Sequence, residues 1–416
     1  MKLKNELMVI CLILFMLISV SAVAAADNST QIINTKNSND NFLTVDNKEK
    51  LTDESYGSFA DLNKTINGNS STNIVLDRDY TYSSSDRIKE GIVINKDNIT
   101  IDGQGHTIDA KNQSRIFYVN STTVYLKNIV FTNGYSASNG GAIFSDGNNL
   151  RIINCTFISN AAEFGGAVYS YPDNLDVFQN SNFVANKADC GGAVYLMYGI
   201  RHYVFNCTFE SNQATDYGGA IAIYGIQGHT ERPYSDSLTV DGSKFLYNKA
   251  KYGDAISNPH SACLNITNSV LLGNVENLID NDVYFAYANY NWFGNTYNNK
   301  SVRPNLHKSI GLDNWLYFDL IPNLDTSRAT ISINNLYNAK TGETGIYSTS
   351  KLPLMNVDVN TTNATINSNN ITLDNAGQYE LEFVLLGNSV LIANCENIEV
   401  SKNIKIGGLR ELENLI

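Results

Sequence analysis

The sequence predicts an all-β protein built on a right-handed parallel β-helix, with a small β-sandwich after it. Three observations support this prediction. A Gly-Gly-Ala motif recurs at a spacing near 26 residues, an Asn-x-x-Phe motif lies between its copies, and the apolar segments are short and alternating. Such segments, rich in β-branched and aromatic residues and bounded by Gly, Asn and Asp, are typical of strands. One coil of strands per repeat, stacked on the next coil, buries a common core.

Three kinds of position mark the repeat. The Gly-Gly-Ala copies begin at Gly140, Gly165, Gly191 and Gly218, with a degenerate copy at Gly253. The Asn-x-x-Phe elements, with two degenerate copies, end at Phe131, Phe157, Phe183, Phe209, Phe245 and Leu271. An Asn follows three residues after the last five of these, at Asn160, Asn186, Asn212, Asn248 and Asn274. A polar insertion at residues 225–236 explains the one long step, because such inserts loop out of a single coil.

Equivalent positions of stacked coils form columns with about 4.8 Å between neighbours. We expect the Phe column to point inward, together with the residues two positions earlier, which are Ile129, Cys155, Ser181, Cys207, Ser243 and Ser269. The Gly pairs predict corners where a Cβ would clash or φ is positive, and the Asn column predicts a hydrogen-bonded ladder. Cys155 and Cys207 would lie two coils apart, too far for a disulfide, and are predicted to be small core residues.

The two ends of the β-helix have their own patterns. Ser58 and Asp61 resemble a capping box ahead of Phe59, Leu62 and Ile66, which predicts a short amphipathic helix that closes the N-terminal end of the core. Both Trp residues fall within 275–324, which we interpret as the C-terminal cap. Beyond it, residues 374–379 ahead of a strand resemble the tyrosine corner of immunoglobulin-like domains.

The first 26 residues predict export. A basic start, an apolar run over residues 7–20 and small residues at 22–26 form the pattern of a secretory signal peptide. The run is shorter than the roughly 20 residues that span a bilayer, and we expect no transmembrane span in the mature chain. The predicted organisation is a signal peptide at 1–26, a flexible segment at 27–54, a capping helix at 55–70, the β-helix at 71–274, its C-terminal cap at 275–324, an immunoglobulin-like domain at 325–402 and a tail at 403–416.

Composition restricts the partners. The formal net charge of −12 gives the chain no electrostatic reason to bind nucleic acid. The cysteines include no Cys-x-x-Cys pair, so neither a zinc site nor a dense disulfide framework is indicated. Abundant Asn-x-Ser/Thr sequons predict an exported glycoprotein. We expect a monomer without an obligate cofactor.

Several segments resemble known families. Residues 98–108 resemble the opening coil of pectate-lyase-like β-helix proteins, and the Gly-Gly-Ala and Asn-x-x-Phe repeats resemble the chlamydial polymorphic outer-membrane protein repeat. The whole order of segments resembles the adhesin-like, Asn/Thr-rich surface proteins of methanogenic archaea. This resemblance implies a non-catalytic protein, secreted or at the cell surface, whose β-helix face binds glycans, other cells or cell-envelope components.

The alternative is a carbohydrate-active enzyme, since polysaccharide lyases and hydrolases also use parallel β-helices. The Asn-Thr-Asp, Asp-Asp and Gly-His-Gly elements of polygalacturonases are absent from the sequence, as are the pectate-lyase elements, and Arg87-Ile88-Lys89 stands alone without the carboxylates that accompany such a triplet in polygalacturonases. His202 and His260 have no acidic or Cys partner at metal-ligand spacing and are predicted to be structural or exposed. We therefore expect no enzymatic activity.

Two sets of residues are candidate sites. Glu163, Asp189 and Asp216 each lie two residues before a Gly-Gly pair and are expected to stack on three consecutive coils. Carboxylates at so short a separation have three possible roles. They bind Ca²⁺, they divide acid and base roles, or they are ordinary solvated residues at the corners, with their repulsion screened by salt. Tyr169 and Tyr195 form the second set, either as a sugar-stacking pair or as ordinary packing on the β-helix face.

Overall fold

The computed structural model describes residues 56–405 apart from 69, 172–174, 198–200, 226–236, 261–262, 274–277 and 282–285. The predicted signal peptide, the flexible segment, the insertion, Asn274 and most of the predicted tail lie outside the described residues. The described strands of residues 57–296 form parallel ladders, and successive coils supply neighbouring strands of each ladder. The predicted parallel β-helix is confirmed.

Three parallel sheets make up the walls of the β-helix. Sheet 1 consists of Gly57–Ser58, Tyr80–Thr81, Thr107–Asp109, Val130–Thr132, Thr156–Ile158, Asn182–Val184, Thr208–Glu210, Lys244–Leu246, Val270–Leu272 and Trp292–Thr296. Sheet 2 consists of Ile92–Ile94, Phe117–Val119, Ile143–Ser145, Val168–Ser170, Val194–Met197, Ile221–Tyr224, Ile256–His260 and Ile279–Asn281. Sheet 3 consists of Asn73–Val75, Thr100–Asp102, Val124–Lys127, Leu150–Ile153, Asp176–Gln179, His202–Phe205, Ser237–Asp241, Cys263–Thr267 and Ala286–Tyr287.

The aromatic column lies on the inner side of sheet 1, as the repeat predicts. Phe157 pairs in register with Phe131 and Phe183, and Phe183 pairs with Phe209. Neighbouring rings from Phe131 to Phe209 stack with centroids 4.7 Å apart and nearly parallel planes. All these rings are fully buried, and so are the Cys and Ser residues two positions earlier. One continuous apolar core therefore runs along the axis.

Buried thiols give a first prediction. Burial raises the pKa of Cys155, Cys207 and Cys395 to about 12. It also raises the pKa of Cys190, but Cys190 and Cys263 are only partly buried and remain within reach of solvent. Since the thiolate is the nucleophile, maleimide at pH 8 should label Cys190 and Cys263 in the native protein at least about 100-fold faster than the other three. Peptide mass spectrometry before and after unfolding in guanidinium measures the rates. Equal native labelling of Cys155 and Cys190 would contradict the buried column.

The Asn column forms a ladder inside the wall. The Asn160 side chain donates from Nδ2 to Asn186 Oδ1 at 2.9 Å, and Asn186 donates in the same way to Asn212. Each Oδ1 also accepts the backbone N–H of the Asn in the preceding coil, at 3.0 Å for Asn160 and for Asn186. The second Nδ2 hydrogen of Asn186 is donated to the carbonyl of Phe157. The ladder continues to Asn248, so a buried polar row is fully paired along the described coils.

The N-terminal cap is a helix, Phe59–Asn67, as the capping-box pattern predicts. Ser58 Oγ accepts the backbone N–H of Asp61, and the Asp61 carboxylate accepts the backbone N–H of Ser58. Phe59, Leu62 and Ile66 are fully buried and belong to the core of the β-helix. Closing the first coil in this way protects apolar side chains and strand edges that water would otherwise reach.

The C-terminal part is an antiparallel module that continues from sheet 1. Its strands are Asn314–Asn323, Arg328–Asn338, Thr344–Ile346, Met355–Ile366, Asn370–Leu373, Gln378–Cys395 and Ile398–Ile404. The first strand pairs in parallel with Trp292–Thr296 and antiparallel with the second strand. It lies inside the residues predicted as the cap, so cap and module share one strand. The immunoglobulin-like assignment is not established by these pairings and stays a prediction.

The module packs on the outer side of the last coils. Leu246, Val270 and Leu272 point out of sheet 1 and share a buried cluster with apolar residues of the module. The Tyr247 hydroxyl donates to the Glu396 carboxylate at 3.1 Å, and Lys351 forms an ion pair with Asp241 at 2.8 Å. The β-helix therefore supplies part of the core of the C-terminal module.

Glu210 at this contact gives a second prediction. Burial raises the pKa of Glu210 above 4.5, and repulsion from Glu396 acts in the same direction while Lys244 opposes it. A carboxyl group whose pKa is higher in the folded state destabilises that state once it ionises, so stability falls as pH rises through this range. Glu210→Gln should raise the Tm at pH 7.5 by about 2 °C, and the gain should vanish below pH 4. Calorimetry at both pH values checks this, with Glu343→Gln as the exposed control.

Candidate functional site on the lateral face

A fourth set of backbone pairings runs along one corner of the β-helix, between sheets 1 and 2. We call it the corner ladder, and it comprises residues 161–164, 187–190, 213–217 and 249–252. Lys187–Cys190 and Gln213–Tyr217 form a two-stranded parallel sheet with one irregularity between Ala188 and Cys190. Isolated bridges extend the ladder to neighbouring coils, at Ala161 on one side and Lys249 on the other. The ladder gives the β-helix a continuous lateral face.

The Gly-Gly pairs hold the corner ladder in place. The first glycine of each pair has a positive φ, for example 64° at Gly191, which favours glycine because it has no Cβ. The second glycine lies against the backbone of the next coil. A Cβ at Gly166 would collide with the backbone of Lys187, and one at Gly192 with the backbone of Gln213. The motif therefore allows the ladder to lie directly on the corner.

An aromatic layer fills the space between the corner ladder and the outer side of sheet 2. Tyr169 and Tyr195 stack with centroids 5.3 Å apart, and the ring of Phe164 meets Tyr195 edge-on. Cys190 and Tyr217 pack against the same cluster. Tyr169 and Tyr195 are only 6% and 8% exposed, so little ring surface is left for a sugar. Their burial disfavours the sugar-stacking hypothesis and favours ordinary packing.

The three predicted carboxylates lie on the corner ladder and are exposed. The backbone N–H of Asp189 donates to the Glu163 carbonyl at 2.8 Å, so these two residues are neighbours. Asp189 accepts a hydrogen bond from the Thr215 hydroxyl at 2.9 Å, and the irregularity of the sheet falls beside it. In the described ranges, no group of three or more His, Cys, Asp and Glu side chains is placed to hold a metal ion. The cation ladder stays a prediction without support from this geometry.

A groove of about 420 Å³ runs along the corner ladder. Lys187, Gln213 and Lys249 occupy one column of it, because Lys187 pairs with Gln213 and Gln213 with Lys249. Thr215 and Lys251 line it as well, and the small side chains of Ala188, Ala214 and Ala250 complete the lining. The groove was not predicted from the sequence. The positions of these lysines relative to the Gly-Gly pairs would have indicated that they lie on the same corner of the β-helix.

Asp176 and His202 form a buried pair that the sequence also left unrecognised. They are paired in register on adjacent strands of sheet 3, and His202 Nδ1 lies 3.5 Å from Asp176 Oδ2. Both side chains are fully buried. Asp176 accepts the Ser170 hydroxyl and the Leu150 backbone N–H, whereas neither ring nitrogen of His202 has a hydrogen-bond partner among the described residues. His202, predicted to be structural or exposed, is buried in the core next to Asp176 of the preceding coil. Its enclosure in the core leaves no room for a substrate and indicates a structural role.

The fold and the corner ladder define the chain as a parallel β-solenoid repeat protein. Residues 206–224 match the family described as the Chlamydia polymorphic membrane protein repeat. This stretch contains one Asn-x-x-Phe element and one Gly-Gly-Ala motif, so the match bears on a single coil. No curated protein and no solved structure matches the chain. The predicted link to methanogenic archaea gains no support from these findings. Among the described residues, no helix is long and apolar enough to cross a membrane.

Proposed function

We propose that the chain is an exported, adhesin-like protein that works at the cell surface without catalysis. The observation that supports this best is the corner ladder, a face repeated from coil to coil and braced from behind by a packed aromatic layer. A rigid, repeated face offers many equivalent weak contacts, which together give strong attachment. The chlamydial repeat match agrees with a surface location, since its printed description is that of a membrane protein.

Glycans of cell envelopes are the ligands we propose for this face, in keeping with the exposed polar residues Gln213 and Thr215. Sequon glycosylation and an immunoglobulin-like fold of residues 325–402 belong to the same proposal. The enzyme alternative would need a reactive constellation open to solvent, and its candidates are the exposed neighbours Glu163 and Asp189 on the corner ladder. The buried Asp176–His202 pair does not provide one, because the core encloses it.

The test uses the purified chain coated on beads. The beads are incubated with intact microbial cells and with a glycan array, and retention is compared with beads coated with serum albumin. We expect cell retention at least about tenfold above albumin. In parallel, polysaccharides incubated with the free protein are assayed for new reducing ends and unsaturated uronates. Retention no better than albumin, or steady polysaccharide turnover that is lost in Asp189→Ala, overturns the proposal.

A further inference from the structure

The groove on the corner ladder concentrates positive charge in an acidic protein. Lys187, Lys249 and Lys251 line it, and no carboxylate is among its lining residues in the part of the chain that the structure describes. The exposed carboxylates of the same ladder, Glu163, Asp189 and Asp216, stand beside the groove, and Asp189 accepts the hydroxyl of the lining residue Thr215. All three lysines are exposed. None of the ion pairs found between described residues involves them. Three ammonium groups therefore face solvent in one groove while the whole chain has a net charge of −12.

The spacing of these charges is set by the fold. The backbone N–H groups of Lys187, Gln213 and Lys249 each donate, at 2.9 Å, to the carbonyl of an Asn of the inner ladder. Gln213 separates the two lysines of the column, which are thus two strand spacings apart, roughly 10 Å. The ladder therefore fixes the separation of the two Cα atoms from which these exposed side chains extend.

Charge spacing discriminates between anionic polymers. A nucleic acid strand carries one negative charge for about every 3.4 Å, which is far denser than this column of lysines. A linear acidic polysaccharide in which charged and neutral sugars alternate carries its charges much farther apart. The polar amide of Gln213 between the lysines is then placed to meet the hydroxyl groups of the neutral sugar.

We propose that this groove binds a linear acidic polysaccharide with alternating charged and neutral sugars. The inference rests on the proposed surface-binding function and names the ligand class of the same face. Lys187 and Lys249 pair with successive carboxylates or sulfates, and Lys251 adds a third contact at the rim. Each exposed ion pair contributes little by itself, so binding grows with polymer length and weakens as salt screens the charges.

Fluorescent hyaluronate oligosaccharides are the probe, because they alternate a carboxylate sugar with a neutral one. Binding to the full chain is measured by fluorescence anisotropy at 20 and 200 mM NaCl, with dextran and single-stranded DNA as comparison polymers. We expect the Kd to rise at least tenfold in Lys187→Gln/Lys249→Gln and at the higher salt concentration. Lys64→Gln/Lys308→Gln, which removes two exposed lysines elsewhere, should leave the Kd within twofold. Lys187→Arg/Lys249→Arg should restore binding.

The outcomes separate this inference from the proposed function. Equal affinity in the groove and control variants, equal binding of dextran, or tighter binding of DNA overturns the inference. If beads still retain cells in that case, the proposed function stands without this ligand. If the wild-type chain binds neither cells nor any glycan, the proposed function fails and the inference fails with it. Circular dichroism and Tm confirm that each variant is folded before its Kd is compared.

Discussion

Asn186→Ala should lower the free energy of unfolding by roughly 3–5 kcal/mol, because buried polar groups that lose their partners each cost about 1–3 kcal/mol. The Asn186 side chain receives hydrogen bonds from the backbone and the side chain of Asn160, and it donates to Phe157 and Asn212. Alanine cannot replace any of these bonds. Both neighbouring Asn residues are fully buried, so bulk solvent does not reach the groups that lose their partners.

Urea unfolding followed by tyrosine and tryptophan fluorescence measures the effect. The matched control is Asn182→Ala, which removes the same side chain from an exposed position of the same coil. We expect the control to change stability by less than about 0.5 kcal/mol. Similar losses in the two variants would show that the ladder does not stabilise the wall beyond an ordinary surface Asn.

The second large effect concerns the buried pair in sheet 3. His202→Leu leaves the Asp176 carboxylate in the core with only the Ser170 hydroxyl and the Leu150 N–H as partners. Removing the polar neighbour of a buried polar group costs about 1–3 kcal/mol. Replacing both, as in Asp176→Leu/His202→Leu, should cost at least about 1 kcal/mol less than the sum of the two single losses. The double variant stays less stable than the wild type, because the Leu150 N–H and the Ser170 hydroxyl lose their acceptor. Leu238, which pairs with His202 on the next coil, shows that this column accepts leucine.

A double-mutant cycle tests this, with the stability of both single variants and of the double variant measured by urea unfolding. A coupling energy near zero, in which the losses of the two single variants simply add, would show that Asp176 and His202 do not act as a pair. Far-ultraviolet circular dichroism establishes that all three variants keep the strand content of the wild type before the comparison is made.

The axial features of the fold were predictable because they repeat. Three of them follow from a residue type that recurs at one spacing: the Phe column, the positive φ of Gly191 and the Asn ladder. In a parallel stack, residues at that spacing lie next to each other on neighbouring coils. The helix that begins at Phe59 was predictable for a different reason, since its capping box is local in sequence. Such signals need no knowledge of how distant segments meet.

The lateral features depend on contacts that no local pattern reveals. Tyr169 and Tyr195 look available in the sequence, but the corner ladder covers them with Phe164, Cys190 and Tyr217. The Asp176–His202 pair lies in a column where neighbouring coils have apolar residues, such as Val124, Leu238 and Ala286, so no repeated residue type marked it. The contact of Leu272 with the C-terminal module joins segments that are far apart in the sequence.

The Asn ladder also allows the number of coils in the β-helix to change during evolution. The hydrogen bonds that Asn160 donates to Asn186 are the same as those that Asn186 donates to Asn212. The upper and lower faces of one coil therefore present matching donors and acceptors. A duplication or deletion of one whole 26-residue unit would therefore rejoin the ladder, the Phe column and the glycine corner at once. Other lengths are tolerated only where the extra residues fall between wall strands, since the ladder runs from Asn212 to Asn248 across a 36-residue step, and an insertion inside a wall strand would break all three. Selection can lengthen or shorten the exposed face in whole coils while the two ends remain closed.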